Sequence, residues 1–525
     1  MTVRYFPQSM LGFVDQSPVN KYNIRSLSES VQTVADMERL WKDFHIRVIF
    51  SYMTKKRLGI FLLFLTDVAA VFFTLQCAIF IRKDVLPFFF EFPPFPSIGY
   101  TFFWWIFPVW IFFFAYEGLY SKRLSFWDEV KVLWKVIFFS TLGVFTILYL
   151  GKFGERVSRA TLVVMGVISF PVLPLIRINA RRFLINTGLL KSKVLILGAG
   201  RTGKLILRAL KRDKNLGLNV AGFLDDDPEK IGKSIDGVKI HGGIDKAQKY
   251  IGRCGIEDVV IAMPGCEKKK TISLINNLQH RTQHILLIPD LFGITVLGTN
   301  LQHFFQEQAI GLEVKNNLAK PANIFMKKIF DLVVSIALLA LLALPMLVIA
   351  LLIRINSSGA AIFSQERIGK NDRPFRCYKF RTMYRDAGEK LEALLKNDPG
   401  AQDEWRNHWK LKNDPRITRI GGFLRKTSLD ELPQIFNVLK GDMSLVGPRP
   451  VTRAEIDDFY KDAAKLCFGV PPGITGLWQV SGRSNIGYDY RIALDSWYVR
   501  NWNLWLDIVI LLKTFKVVLN REGAV

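Results

Sequence analysis

Two adjacent carboxylates, Asp430 and Glu431, are the residues best suited to chemistry. They lie in the string Arg425-Lys-Thr-Ser-Leu-Asp-Glu-Leu-Pro-Gln434. The string reads as the start of a helix, where the backbone dipole favours a negative side chain by roughly 0.3–1 kcal/mol. An ionised carboxylate held there suits a nucleophile or a metal ligand. The same residues also fit a structural part. Ser428-x-x-Glu431 has capping-box spacing, and Pro433 suits an early helical position. On this pair alone both readings stand.

The cations nearby in sequence bear on that choice. Lys379-Phe-Arg-Thr-Met383 supplies Lys379 and Arg381, and Gly441-Asp-Met-Ser-Leu-Val-Gly-Pro-Arg-Pro450 supplies Arg449 between two prolines. Arg425 precedes the carboxylates, and Arg483 follows Pro472-Gly-Ile-Thr-Gly-Leu-Trp-Gln479. Further strings are Gln365-Glu-Arg-Ile-Gly369 and Asp414-Pro-Arg-Ile-Thr418. A guanidinium offers paired donors to phosphate oxygens. An acidic pair with cations from separate segments is what phosphoryl transfer requires, with Mg²⁺ commonly sharing the charge. Any single arginine also fits a solvated or membrane-facing charge.

These residues must be positioned by a chain of 525 residues, half of them hydrophobic, with a net charge of +25. That balance points to an anionic membrane surface or a phosphorylated substrate. No nucleic-acid motif is present, and no nucleic-acid partner is expected. Four apolar runs, near 58–81, 99–117, 132–151 and 159–177, each approach the ~20 residues needed to span a bilayer. Basic residues flank the outer ends and the loop between runs two and three, which places both ends in the cytoplasm. Asp67 lies within the first run and reads either as a functional charge or as one facing neighbouring helices. A signal peptide is not expected, because no apolar core follows Met1 for about 50 residues.

From Lys193 the pattern changes to a βαβ start. Val194–Leu197 is a buried-strand run, followed by Gly198-Ala-Gly-Arg-Thr-Gly203 and a helix. The glycine spacing suits a tight turn facing a pyrophosphate, and Asp225 stands near the distance for a ribose contact. Gly198, Gly200, Gly203 and Asp225 therefore form a candidate nucleotide site, in a domain that equally fits one without a ligand. A fifth apolar run, Ile329–Ile353, has positive charge on both flanks and Pro345 inside. It fits a broken, re-entrant helix or a tilted span with a kink. Trp505–Leu519 reads as an interfacial amphipathic helix, anchored by Trp497, Trp502 and Trp505, or as a core helix.

The five cysteines form no CxxC pair, so neither a disulfide framework nor a zinc site is expected. His280 and His284 are spaced i, i+4 without a third ligand and read as surface or satisfied histidines.

Taken together, Lys379-Phe-Arg-Thr-Met383, Leu429-Asp-Glu-Leu-Pro-Gln434 and Val446-Gly-Pro-Arg-Pro450 resemble the polyprenyl-phosphate sugar-1-phosphate transferases, the monotopic phosphoglycosyl transferases. Most of the chain is similar to the large members, nearest to undecaprenyl-phosphate galactose phosphotransferases. The resemblance implies four parts: an N-terminal segment (1–54), a four-helix membrane unit (55–185), a Rossmann-like α/β domain (190–318) and a mainly α catalytic domain (320–525). A re-entrant helix at about 324–354, broken at Pro345, opens the last part. It also implies that Asp430 is the nucleophile, forming an aspartyl-phosphosugar intermediate, and that Glu431 is its partner. Mg²⁺ would sit at Asp430. Arg425, Arg449, Arg483 and Lys379, with Arg381, would contact phosphate or nucleotide. The implied substrates are a UDP-sugar, galactose before glucose, and undecaprenyl phosphate. The implied setting is the cytoplasmic face of a bacterial inner membrane, in a homodimer serving O-antigen, capsule or exopolysaccharide synthesis.

Two other readings compete. A membrane-anchored nucleotide-sugar dehydratase or epimerase needs a Tyr-x-x-x-Lys pair, but Tyr250 is followed four residues on by Cys254. A non-catalytic scaffold or sensor of glycan assembly is the other; the complete motif set argues against it.

Overall fold

The computed structural model describes residues 55–91, 104–152, 157–289, 300–304, 309–313, 317–398, 402, 414–482 and 487–519. The chain divides into two compact units, 1–290 and 291–525. The first 50 residues and Arg483 lie outside the described residues.

In the first unit, three helices are long and apolar enough to cross a membrane: α1 (Lys55–Phe88), α3 (Phe126–Leu150) and α4 (Arg159–Asn186). The second apolar run is described only as the shorter helix α2 (Ile106–Tyr116). Ser125 caps α3 by accepting from the Asp128 N–H, and Asp128 and Glu129 fall in its first turn, as the dipole favours. Residues such as Val71, Trp110, Leu133 and Leu162 fill the space between the helices.

That apolar packing surrounds a buried polar network. Arg177 on α4 pairs with Asp67 on α1 and with Glu129 on α3, the latter at 2.9 Å. Asp67 therefore faces its helical neighbours, which settles between the two sequence readings. Arg177 also donates to the Leu119 carbonyl at 2.7 Å. Glu129 further accepts from Arg181 at 3.2 Å and from Asn215 at 2.6 Å.

Asn215 belongs to the α/β part. Its sheet runs β3–β4–β2–β1–β5–β6, with β1 Ser192–Leu197, β2 Leu218–Leu224, β3 Ser234–Ile235, β4 Val238–Gly242, β5 Asp258–Ile261 and β6 His284–Leu287; the helices α5 (Arg201–Arg212), α6 (Ala247–Cys254) and α7 (Lys268–Leu278) fall between its strands along the chain. β1 pairs in parallel with β2 and β5; only β3 runs antiparallel, against β4. Strands β1 and β5 carry near-continuous apolar runs because both sheet faces are covered. The last described strand of the sheet ends at Leu287. A separate hairpin, β7 (Asn300–Phe304) with β8 (Ala309–Glu313), belongs to the second unit.

The helices and the sheet are tied by cations that the sequence presents as membrane-flanking charge. Lys56 pairs with Glu257 at 3.2 Å, and Arg123 pairs with Asp258.

In the second unit, α8 (Pro321–Asn356) is one continuous helix through Pro345. The structure thus shows no interruption at the expected break. Its outward residues, among them Leu341, Leu344, Leu347 and Leu351, are exposed and apolar. It nevertheless packs on one body along much of its length. Val334 and Leu338 join the cluster of Val446, Tyr498 and Trp502, while Met346 and Ile353 pack with Phe380 and Leu424. Past α8 comes the antiparallel pair β9 (Ile362–Ile368) and β10 (Pro374–Phe380), and later the parallel pair β11 (Ser444–Val446) and β12 (Gly473–Thr475). The last helix, Leu504–Leu519, contributes the core residue Ile510 and exposes Leu512 and Phe515. Trp502 is 1% exposed and donates its indole N–H to Asp507 at 3.0 Å. It is a core residue rather than an interfacial anchor.

Replacing Arg177 with leucine leaves Asp67 and Glu129 buried without their shared partner. An expected loss of about 3–5 kcal/mol follows from stranding buried charge. Arg208→Ala, which breaks an exposed pair with Asp236, is expected to leave the unfolding temperature near the wild-type value. Thermal unfolding in detergent micelles compares the two.

Candidate active site

The acidic pair sits on a turn between two short helices. Thr418 caps the first, Arg419–Thr427, by accepting from the Gly421 N–H at 2.9 Å. Gly421 is required there, because a Cβ would meet the Thr382 carbonyl oxygen at 2.0 Å. The helix ends at Ser428 in the left-handed region, φ 56°. A single turn, Leu429–Glu431, follows, and then the helix Gln434–Lys440. The Ser428 side chain makes no capping hydrogen bond, so the capping box expected from its spacing is not formed. The genuine box in this unit is Thr452 with Glu455.

Glu431 is held by cations from two other segments. Lys379 Nζ, near the end of β10, lies 2.7 Å from its Oε1, and Arg449 lies at 3.7 Å. Asp430 has no cation within 4 Å among the described residues. Burial, then the neighbouring Glu431 charge, pushes its carboxyl above the ordinary range, against the pull of Lys379 and Arg425. Arg425 is anchored by its Nε, which donates to Thr382 Oγ1 at 2.9 Å.

Arg381 points elsewhere. It donates to the Ser357 and Ser358 carbonyls, both at 2.7 Å, and to Ser357 Oγ at 2.9 Å. Its guanidinium fastens the chain leaving α8.

A small recess beside Glu431 is lined by Lys379, Arg449, Arg367, Gln434 and Cys377. Burial pushes the Cys377 thiol up, away from a reactive thiolate. Arg367 and Gln434 were not singled out from sequence, although both stand inside noted strings. Arg367 is paired with Glu455 at 3.1 Å, a partner 88 residues away that no local pattern reveals. The described residues hold no cluster of three or more metal-ligating side chains. Two carboxylates suit a divalent ion that takes its remaining ligands from substrate phosphates.

The glycine-rich turn of the α/β part has the sterics that its spacing predicts. Gly198 has φ +101°, and a Cβ on Gly203 would meet the Gly198 carbonyl oxygen at 2.1 Å, so helix and strand pack closely. The surroundings of Gly200 are open. Asp225 accepts from the Ala199 N–H at 2.6 Å, closing the loop on itself. Tyr250 packs into the core of this domain.

The profile of the family described as bacterial sugar transferase matches residues 322–521, and that of a CoA-binding domain matches 117–289. The chain is 39% identical over 408 residues to the UDP-galactose-lipid carrier transferase of Erwinia amylovora, spanning 77% of this chain and 84% of that one. It is 38% identical over 406 residues to the undecaprenyl-phosphate galactose phosphotransferase of Salmonella typhimurium, with the same coverage. The UDP-glucose:undecaprenyl-phosphate glucose-1-phosphate transferase of Escherichia coli is 32% identical over 359 residues, covering 66% of this chain and 72% of its own.

Because the Ser428 hydroxyl caps nothing, Ser428→Gly is expected to keep full stability. Ser428→Val places a β-branched residue at positive φ, and a loss of about 1–2 kcal/mol is expected. Thermal unfolding distinguishes them; a loss with glycine would restore the capping box.

Proposed function

The chain belongs to the bacterial sugar transferase family, and on that premise we propose that it transfers galactose-1-phosphate from UDP-galactose to undecaprenyl phosphate, releasing UMP. The carrying observation is the contrast within the dyad. Glu431 is tied to Lys379 and Arg449, whereas Asp430 has no cation within 4 Å among the described residues. A carboxylate left without an ion-pair partner, in a field of nearby cations, suits attack on a phosphorus.

In the first step an Asp430 oxygen bonds to the β-phosphorus. The bond from that phosphorus to the bridging oxygen breaks, and UMP leaves with the electron pair. In the second, an oxygen of undecaprenyl phosphate attacks the same phosphorus. The aspartyl–phosphorus bond breaks, and the Asp430 carboxylate is restored. Lys379, Arg425 and Arg449 stabilise the charge that spreads over the phosphoryl oxygens. Asp430 and Glu431 would hold Mg²⁺ together with the diphosphate, neutralising charge on the leaving group. Galactose is favoured over glucose because the galactose-named relatives are 38–39% identical and the glucose-named one 32%.

The setting is supported by the pairing of Lys56 and Arg123 with one α/β domain, whose Asn215 also donates to Glu129 beside Arg181. The start of α1, the start of α3 and the end of α4 then share a face, and positive charge makes it the cytoplasmic one. α8 packs on the body of its own unit on both sides of Pro345, which supports a helix that enters and leaves a bilayer on one side, with Pro345 as the residue that would bend it. A straight helix of 36 residues would extend about 54 Å. A homodimer belongs to this reading through family likeness alone.

Release of UMP in nanodiscs with Mg²⁺, undecaprenyl phosphate and a panel of UDP-sugars tests the proposal. UDP-galactose is expected to give the highest rate, and Asp430→Asn to abolish it. No release from any sugar by folded protein would sink the transferase reading. The acid limb of the rate is expected above the ordinary carboxylate range, because Asp430 must ionise and its pKa is raised. Glu431→Gln removes a neighbouring negative charge, lowers that pKa and moves the limb of the residual activity to lower pH. An unmoved limb would assign it to another group.

A further inference from the structure

Arg491, on the helix Tyr488–Asn501, is buried and forms no ion pair within 4 Å among the described residues. It is 8% exposed, and its Nε and Nη2 atoms meet no hydrogen-bond partner among the described residues. Its guanidinium carbon lies 4.5 Å from the ring centre of Trp478 and 5.1 Å from that of Tyr488. Ring faces attract a cation, but they leave in-plane N–H donors unsatisfied. Donors kept from water without acceptors are costly, so a buried guanidinium in this state calls for a partner that arrives later.

Tyr488 and Asp495 both act on this guanidinium, yet neither satisfies its Nε and Nη2 donors. The Tyr488 hydroxyl donates to Glu455 at 3.0 Å. Asp495, one turn along the helix, accepts from the Tyr460 hydroxyl at 3.0 Å and forms no ion pair with Arg491 within 4 Å; its Oδ1 is also buried without a partner. Burial pushes the Asp495 carboxyl up to about 7, which weakens it as a counter-ion.

Trp478 links Arg491 to the dyad. Arg449 lies 5.9 Å from the same ring centre and reaches to within 3.7 Å of Glu431. The order is thus dyad, Arg449, Trp478, Arg491. We propose that Arg491 is a further contact of the donor's diphosphate, holding the phosphate of the departing nucleotide while Arg449 faces the phosphate under attack. The inference rests on the transferase reading. Its chemistry is two guanidinium N–H groups donated to phosphate oxygens, with the cation backed by aromatic faces.

The test uses full-length protein in nanodiscs, with UMP as the binding probe. In R491Q the UMP affinity is expected to fall about tenfold to a hundredfold, the range for losing hydrogen bonds to a charged group. The KM for UDP-galactose is expected to rise in step, while the KM for undecaprenyl phosphate and the unfolding temperature stay at wild-type values. Wild-type UMP affinity in R491Q overturns the proposal, as does an equal rise in both KM values, which marks a general structural part. If R491Q does not fold, R491K keeps the stem and the charge but loses the paired donors. Weaker UMP binding in it supports the contact, and unchanged binding overturns it. Failure of the underlying reading shows separately, as wild-type protein that neither binds UMP nor releases it from UDP-galactose.

Discussion

The buried ion pair between Lys327 on α8 and Asp507 fixes how the long apolar helix meets the rest of its unit. The two lie 2.7 Å apart, and Lys327 also donates to the Val446 carbonyl at 3.1 Å. Tyr498 and Trp502 complete the Asp507 carboxylate, and Ser444 donates to Asp331 one turn further along α8. Such a pair adds little net stability, but removing one member strands a charge, so it sets register more than it adds strength. The register matters because β11 leads straight into Gly447 and Arg449. Gly447 passes so close to β12 that a Cβ would lie 2.7 Å from the Pro471 carbonyl oxygen. An apolar helix, a charged pair and a glycine contact together aim one guanidinium at Glu431.

The dyad shows how adjacent carboxylates acquire different characters. They share a turn and a helix-like backbone, yet only Glu431 points at Lys379 and Arg449. Successive side chains on the single turn Leu429–Glu431 stand about 120° apart, so the two neighbours face different surroundings. Environment, rather than residue type, separates the two carboxylates.

What was legible in the sequence follows from the range of the forces. The tight turn at Gly198 and the close packing at Gly203 are local steric demands, and the spacing displays them. The dyad and its cations were legible by residue type. The capping pattern at Ser428 misled because spacing does not encode a positive φ. Trp502 misled because an aromatic at a membrane surface and an aromatic donating to a buried carboxylate look alike in sequence. Arg381 carries the same donors whether it meets a phosphate or two carbonyls. Lys327 and Asp507 stand 180 residues apart, beyond any periodic signal.

The cations around the N-terminal helices have a further consequence in time. Lys56 and Arg123 are synthesised well before Glu257 and Asp258, their partners in the folded domain. Until the α/β domain is made, these cations have no acidic partners there and stay open to solvent. Once that domain folds, the same charges become its clamps. The order of synthesis thus makes the fastening of helices to sheet a late event, one that cannot precede the completion of β5.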